Sequence, residues 1–260
     1  MLEELLEESA KTGRLDLSNM YLGTLPTLPA FLTDLTCSRN NLYDLPELPK
    51  TLIRLNCSDN FLDSLPQLPL TIRDIYCGDN ILMSLPILPD SLTSLYCVKN
   101  LLTQLPELPP FLLNLWCYDN QITQLPNLPV DIRILSCSRN RISEIPFLPP
   151  MLRLLYCSSN ALQRLPKVPQ SLRDFHGSNN PWASPRFEQL LSKPDPIWEI
   201  HALYARTKKK KETLRSLLHI RNTLSRGILP DDILCRVAFY LTGFNTTLVS
   251  QCEQIQFELV

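Results

Sequence analysis

Apolar residues recur along most of this chain with a fixed period of 20 residues. In one copy the apolar positions are Leu92, Leu95, Cys97 and Leu102, and similar residues stand 20 positions earlier and later. Two slots take a single residue type almost throughout. The asparagine slot holds Asn40, Asn60, Asn80, Asn100, Asn120, Asn140, Asn160 and Asn180, and the cysteine slot holds Cys37, Cys57, Cys77, Cys97, Cys117, Cys137 and Cys157. Such fixed self-similarity predicts a solenoid of stacked turns.

Each copy contains a short segment in which apolar and polar residues alternate. Leu35 and Cys37 alternate with Asp34 and Thr36, which predicts a strand with the first pair inside and the second outside. Strands from successive copies are expected to stack into a parallel sheet on one side of the solenoid. The asparagine that follows should turn the chain and hydrogen-bond backbone groups that no strand satisfies.

The other side of each copy reads Leu-Pro-x-Leu-Pro, as at residues 65–69. Proline fixes φ and cannot donate a hydrogen bond, so these segments should be extended and polyproline-like. Proline-rich runs can also bind SH3 or WW domains. Because the leucines of every copy are committed to packing, the pattern favours a structural role for the prolines.

The full phrase, L-x-x-L-x-(L/C)-x-x-N-x-L, is the leucine-rich-repeat pattern. It predicts an α/β repeat solenoid, a leucine-rich-repeat horseshoe with a parallel concave sheet and an extended, polyproline-like convex side. About nine repeats of 20 residues would occupy residues 15–182, and a small α-helical C-terminal region would follow at 183–260. Trp182 takes a leucine slot where the repeats end.

Residues 1–14 precede the first repeat and are expected to form a capping helix. Leu2, Leu5, Leu6 and Ala10 fall on one helical face, with glutamates mostly opposite. The first turn of a solenoid otherwise exposes its core, so a helix that covers this end is the expected solution. Acidic residues here argue against a helix on a membrane surface, which needs basic residues.

Charge and cysteine content bound the partners and the compartment. The net charge is −1, so no overall field points to nucleic acid, and no apolar run is long enough to span a bilayer. The acidic start lacks the features of a cleavable secretory signal. The repeated cysteines point inward in strand register, which predicts reduced core packing without disulfides or a metal, and therefore a cytoplasmic, reducing compartment.

No catalytic constellation is present in the sequence. The three histidines, His176, His201 and His219, form no metal-binding pair, and the chain has six glycines with no phosphate-binding loop. These observations predict a protein that is not an enzyme and has no cofactor.

The outward strand positions are the better place to look for function, because core packing does not dictate them. One outward column reads Thr36, Asn56, Tyr76, Tyr96, Trp116, Ser136, Tyr156, His176, with Tyr118 beside it. Aromatic side chains exposed in register are typical of protein-recognition sites, although aromatics also suit strands for structural reasons. Arg133, Arg153 and Arg173 flank the C-terminal end of the column. We therefore predict a protein partner on the concave face, with an acidic contact at this end.

The phrase L-P-x-L-P-x-x-L-x-x-L-x-(V/C)-x-x-N-x-L resembles the LPX-type repeats of bacterial effectors, the YopM and IpaH group, over about residues 15–180. That resemblance implies a scaffold acting inside a host cell, secreted without a cleavable signal. IpaH-like members also carry a long C-terminal ubiquitin-ligase domain with a C-x-D motif, whereas this tail reads Cys235-Arg236-Val237. The cysteine slot departs from that group, and similar cysteine-bearing repeats occur in large-virus and other bacterial proteins, so the origin stays open.

Two features of the C-terminal region allow alternative interpretations. Residues 229–241 resemble the opening of an F-box, a segment that binds the adaptor of a cullin-type ubiquitin ligase; a capped amphipathic helix has much the same pattern. The matching positions are Leu229, Pro230, Ile233, Leu234, Val237, Tyr240 and Leu241. Arg206 to Lys211 form a basic cluster that is typical either of a nuclear-import signal or of a solvated helix face.

The sequence thus leads to two hypotheses. The first is a non-enzymatic interaction scaffold that works through the concave face, as a pathogen effector in a host cell. The second is a substrate receptor of a cullin-type ubiquitin ligase, in which the repeats bind the target and residues 229–241 bind the adaptor.

Overall fold

The computed structural model describes residues 2–145 and 147–182, together with residues 189, 197 and 199–202. In this part of the chain, nine strands of three residues form one parallel sheet in chain order. The strands are β1 (Arg14–Asp16), β2 (Asp34–Thr36), β3 (Arg54–Asn56), β4 (Asp74–Tyr76), β5 (Ser94–Tyr96), β6 (Asn114–Trp116), β7 (Ile134–Ser136), β8 (Leu154–Tyr156) and β9 (Asp174–His176). The predicted leucine-rich-repeat solenoid with a parallel sheet is confirmed.

The core is built from the repeated apolar slots. In the turns of β2 to β8 the middle residue of the strand and the cysteine just after the strand are buried, as are the leucine or isoleucine before the strand and the one after the asparagine. All seven cysteines of the column are buried and free, and they pack as small apolar side chains of the core. Each turn therefore contributes one layer of side chains to a continuous core.

The buried asparagines connect successive turns through their side chains. Nδ2 of Asn100 donates to the carbonyl oxygen of Cys77 in the preceding turn at 3.0 Å and to that of Cys97 in its own turn at 3.3 Å. Its Oδ1 accepts a hydrogen bond from the N–H of Leu82 at 2.9 Å. The Cys77 carbonyl also accepts a hydrogen bond from Asn80, so the pattern runs unbroken from turn to turn.

The residue before each asparagine slot adopts a left-handed backbone conformation. These residues have φ between 49° and 59° and none is a glycine: Asn19, Arg39, Asp59, Asp79, Lys99, Asp119, Arg139, Ser159 and Asn179. This conformation is uncommon for residues with a side chain. Here the asparagine bonds on both sides hold it in place, and no glycine marks it in the sequence.

The convex side is extended, as its prolines predict. In each turn after the first, a tight bend leads back to the strand, where the N–H of the apolar residue before the strand bonds a proline carbonyl three residues earlier. Leu52 and Pro49 make this bond at 3.0 Å, and Leu92 and Pro89 repeat it at 3.0 Å. The described residues of the repeats contain no helix.

Helix α1 (Leu2–Thr12) packs beside β1 at the start of the solenoid. Gly13, with φ of 70°, ends it, and its N–H bonds the carbonyl of Ser9 at 2.8 Å. The predicted inner face is wrong at one position, because Ala10 is exposed and Ser9 is buried. Ser9 lies between the half-buried Leu5 and Leu6 on the helix surface, and its hydroxyl donates to the Leu6 carbonyl at 2.7 Å, which satisfies the buried oxygen.

The chain divides into two compact units, residues 1–182 and 183–260. In the second unit, residues 189, 197 and 199–202 are helical. No helix among the described residues is long and apolar enough to cross a membrane.

Gly177 interrupts the cysteine column at β9 for a steric reason. A Cβ atom at this position would lie 2.5 Å from Cζ of Phe175 and 3.1 Å from Cζ2 of Trp182. These two rings are buried, and the indole N–H of Trp182 donates to the Gly177 carbonyl at 2.9 Å. The larger rings thus fill the space that a cysteine side chain occupies in the other turns.

We expect Gly177→Cys, which restores the repeat pattern, to destabilise the protein. The added side chain overpacks the Phe175 and Trp182 rings, which costs about 2 kcal/mol of the free energy of unfolding. Urea denaturation measures this change. The double variant Phe175→Leu/Gly177→Cys supplies the leucine of the other turns and should recover most of the loss; a double variant no more stable than Gly177→Cys alone contradicts the explanation.

Candidate functional site

Two columns of side chains form the outward face of the sheet, which we call the concave face. One column contains the first residue of every strand and the other contains the last, because the strands pair in parallel without a shift in register. Tyr76 thus stands beside Tyr96, and Tyr96 beside Trp116. The parallel register is what brings the predicted recognition residues together.

Five rings of the last-residue column make one continuous row of ring contacts, which we call the ring ladder: Tyr76, Tyr96, Trp116, Tyr156 and His176. The Tyr76 and Tyr96 rings are stacked with centroids 4.5 Å apart, and the Tyr96 and Trp116 rings are stacked at 5.9 Å. The sequence predicts all five to be exposed. Only Tyr76 and His176 are, because the three middle rings half-cover one another.

Trp116 bridges a gap in the ring ladder. The next residue of the column, Ser136, carries no ring, and the indole of Trp116 reaches beyond it to meet Tyr156 edge-on, with centroids 6.3 Å apart. Ser136 is consequently buried. The indole Nε1 of Trp116 is buried as well, and no hydrogen-bond partner lies within the described residues. A buried donor without a partner is costly, and functional sites are among the places where it occurs.

Hydrogen bonds fix the C-terminal end of the ring ladder. The Tyr156 hydroxyl donates to Oδ2 of Asp174 at 2.6 Å, and Nε2 of His176 lies 3.3 Å from Oδ1 of the same carboxylate. The Tyr156 and His176 rings meet edge-on at 4.9 Å. The bond to Asp174, followed by burial, raises the pKa of Tyr156, so this tyrosine stays a neutral donor at physiological pH.

The N-terminal end of the concave face is polar. Arg54 on β3 pairs with Asp34 on β2, and the shorter side chains Thr36 and Asn56 leave a pocket of about 200 Å³ beside the ring of Tyr76. Burial, followed by the neighbouring Tyr96 and Asp74, raises the pKa of Tyr76. The ring ladder therefore begins at a step in the surface.

The three arginines predicted to flank the ladder form a column of their own, one residue before β7, β8 and β9. The N–H of Arg153 bonds the carbonyl of Arg133 at 2.8 Å, and the N–H of Arg173 bonds that of Arg153 at 2.7 Å. All three side chains are exposed, and none forms an ion pair with another described residue. Tyr118, predicted to lie beside the ladder, is half-buried and makes no ring contact with it in this part of the chain.

The remaining predictions concern chemistry and the C-terminal region. Among the described residues, no group of histidine, cysteine or acidic side chains could hold a metal ion. The F-box-like segment 229–241, the basic cluster Arg206 to Lys211 and Cys235 all lie outside the described residues. They stay predictions from the sequence alone.

The solenoid and its regular rungs define a leucine-rich-repeat protein, and comparison with known proteins narrows this class. YopM from Yersinia enterocolitica is 37% identical, with a TM-score of 0.68, over 69% of this chain and 41% of that one. A Shigella effector leucine-rich-repeat domain is 31% identical, with a TM-score of 0.51, over 75% of this chain and 83% of that domain. The leucine-rich repeat domain of APL1B shares the fold. It is 20% identical, with a TM-score of 0.54, over 69% of this chain and 68% of that one.

The chain belongs to the leucine-rich-repeat proteins of the YopM and IpaH type. It spans 41% of the length of the YopM chain that it matches. No protein-family model and no curated protein sequence gave a match.

Proposed function

We propose that the protein is a non-enzymatic scaffold that binds a partner protein on its concave face, with the ring ladder at the centre of the contact. The observation that carries this proposal is the run of four contacts that joins five rings along one column of the sheet. Tyrosine and tryptophan bury a large area at low entropic cost, and they dominate the energy of protein interfaces.

The fold itself does not require these rings. The same column holds Asp16, Thr36 and Asn56 in the first three strands and Ser136 in the seventh, and those strands pair in the same register. The rings are therefore a property of the surface. The buried Nε1 of Trp116 supports the proposal further, because a partner that shifts the indole would satisfy this donor.

The column of Arg133, Arg153 and Arg173 suggests the chemistry of one part of the partner. Three exposed arginines on successive turns, without an ion pair among the described residues, favour a carboxylate-bearing segment. We infer that the partner places apolar side chains on the ring ladder and acidic side chains beside the arginines.

The setting of this binding is proposed from the relatives. The similar Shigella domain is an effector, and action in the cytoplasm of a host cell fits a column of cysteines that stay reduced. The alternative is a substrate receptor of a cullin-type ubiquitin ligase through Leu229 to Leu241, which rests on the F-box-like pattern of the sequence alone.

Removal of two central rings should abolish most of the partner binding. We expect Tyr96→Ala with Trp116→Ala to weaken capture of partner proteins from a eukaryotic cytosolic lysate at least tenfold, since each hot-spot ring contributes about 2 kcal/mol. The circular dichroism melt should stay nearly unchanged, because both rings lie on the surface of the sheet. Quantitative pull-down with the full chain as bait provides the measurement.

The matched control is Phe111→Ala, an exposed ring that lies off the concave face, which should capture as well as the wild type. Equal recovery by the double variant refutes the proposal, and a lost fold would make the rings structural. The same lysate tests the alternative: recovery of a cullin adaptor that Ile233→Asp abolishes would support it.

A further inference from the structure

An apolar stripe runs along one edge of the solenoid, on the segment that follows the asparagine turn. Its members stand one or three residues after the asparagine slot, and each is exposed by between 39% and 85%: Tyr21, Tyr43, Phe61, Ile81, Met83 and Leu101. We call this surface the edge stripe. It is separate from the concave face, because the turn at the asparagine lies between them.

The backbone under the edge stripe is hydrogen-bonded from turn to turn. The N–H of Phe61 bonds the carbonyl of Leu42 at 2.9 Å, that of Ile81 bonds Leu62 at 3.0 Å, and that of Leu101 bonds Leu82 at 2.9 Å. These bonds form a second ladder beside the sheet. Two side chains of neighbouring turns also touch, since the rings of Tyr43 and Phe61 are stacked with centroids 5.6 Å apart.

The fold does not need apolar residues at these positions. Gln121 and Arg141 occupy the slot of Phe61 and Ile81 in later turns, and each makes the same backbone bond at 2.9 Å. Thr123 likewise occupies the slot of Met83. The apolar character is thus confined to the first half of the solenoid, and a contiguous exposed apolar surface of this kind marks a binding site.

The charges beside the edge stripe are acidic. Asp44 and Asp63 lie on the same segments, are exposed, and form no ion pair within the described part of the chain. Two basic residues of these turns, Arg39 and Lys99, already face acidic partners on adjacent turns. Arg39 pairs with Asp59 at 3.9 Å and Lys99 with Asp79 at 2.9 Å. The occupant should therefore carry basic groups, and an anionic lipid surface is disfavoured.

The spacing of the turns matches one kind of occupant. Neighbouring turns of a parallel sheet lie about 4.8 Å apart, and a helix rises about 5.4 Å per turn. A helix that lies along the solenoid axis therefore presents one apolar side chain to each turn. The five turns of the edge stripe correspond to about 15 residues of helix.

We propose that the edge stripe binds an amphipathic helix of a partner protein, with its apolar side on the stripe and lysines or arginines facing Asp44 and Asp63. This site is additional to the concave face. The protein thus has two binding surfaces, which allows one molecule to hold two partners or two parts of one partner.

The experiment uses three labelled 18-residue peptides and the full chain, with binding followed by fluorescence anisotropy. The first peptide has a leucine face with lysine flanks, the second replaces the lysines by glutamates, and the third scrambles the order of the first. We expect the first to bind at least tenfold tighter than the other two. Phe61→Ser with Met83→Ser should weaken binding of the lysine peptide at least tenfold. Asp44→Asn with Asp63→Asn should reduce the difference in affinity between the lysine peptide and the glutamate peptide.

Two controls separate this site from others. Leu70→Ser removes an exposed leucine outside the stripe and should leave peptide binding unchanged. The pair Tyr96→Ala/Trp116→Ala should leave it unchanged as well, so the concave-face proposal can fail without affecting this one. No binding by the lysine peptide, or equal binding of the scrambled peptide, overturns the proposal. Two other results overturn the proposal because they assign the surface to another occupant. One is dimerisation in sedimentation that Phe61→Ser/Met83→Ser abolishes. The other is binding to phosphatidylcholine vesicles, in place of the peptide, that the same variant abolishes.

Discussion

Above pH 9 the free energy of unfolding is expected to fall steeply as the pH rises. The cause is the column of seven buried cysteines. Burial raises the pKa of every one of these thiols, to about 12 for Cys37 and Cys137 and also for Cys57, Cys77, Cys97, Cys117 and Cys157. The folded chain keeps these protons at a pH at which the unfolded chain has lost them.

The sign of the effect follows from proton binding. Above the ordinary thiol pKa of 9.0, the unfolded state binds fewer protons than the folded state, so stability falls as the pH rises. One pH unit above that value, each thiol removes roughly 1 kcal/mol of the free energy of unfolding, and the column together removes on the order of 10 kcal/mol. A loss of this size is comparable to the whole stability of a typical domain, about 5–15 kcal/mol.

Urea denaturation under reducing conditions between pH 7 and pH 10 provides the measurement. The slope of stability against pH should approach a difference of seven protons, one for each thiol of the column. The matched variant Cys97→Ala/Cys117→Ala cannot ionise at two positions, so its slope should be shallower by two protons, whatever its stability at pH 7. A wild-type slope of two protons or fewer would show that the thiols ionise within the fold.

Asn100→Ala should destabilise the protein by about 3–4 kcal/mol at neutral pH, because it removes the side chain that joins two turns. The alanine cannot accept the hydrogen bond of the Leu82 N–H, which then stays buried without a partner. The cysteine carbonyls lose one donor each, although Asn80 still serves Cys77 and Asn120 still serves Cys97. The orphaned Leu82 N–H therefore accounts for the largest part of the loss.

Asn127→Ala is the matched control, because this asparagine is exposed and lies outside the column. Its change in unfolding free energy should stay within about 0.5 kcal/mol. Thermal and urea melts of both variants give the comparison. Similar losses in the two variants would argue against the role assigned to the asparagine bonds.

Much of the fold could be predicted because every rung repeats the same physical requirement. Leu35 and Cys37 are buried, Asp34 and Thr36 face outward, and Asn40 satisfies backbone groups of the turn. The prolines exclude a helix on the convex side. The parallel register then brings Tyr76, Tyr96 and Trp116 into one row, so the central part of the candidate site also follows from the period.

The remaining features depend on contacts that a period cannot show. The residue before each asparagine slot is left-handed but is never a glycine. Arg39 and Lys99 adopt this conformation because the hydrogen bonds of the neighbouring asparagines enforce it. Trp116 meets Tyr156 across a whole turn, since an indole is long enough to pass over Ser136. The edge stripe does not follow from the period, because its apolar residues fall in two slots and neither slot is apolar throughout.

The asparagine bonds also bear on how such a chain can change its length. Each turn offers the next the same carbonyls and the same N–H, and the 20-residue unit carries no insertion in residues 31–180. A duplication or deletion of 60 nucleotides in the gene, begun at any codon, therefore yields a chain in which every asparagine still finds its bonds. Genetic recombination can lengthen or shorten the ring ladder by whole turns, and each of the resulting chains folds.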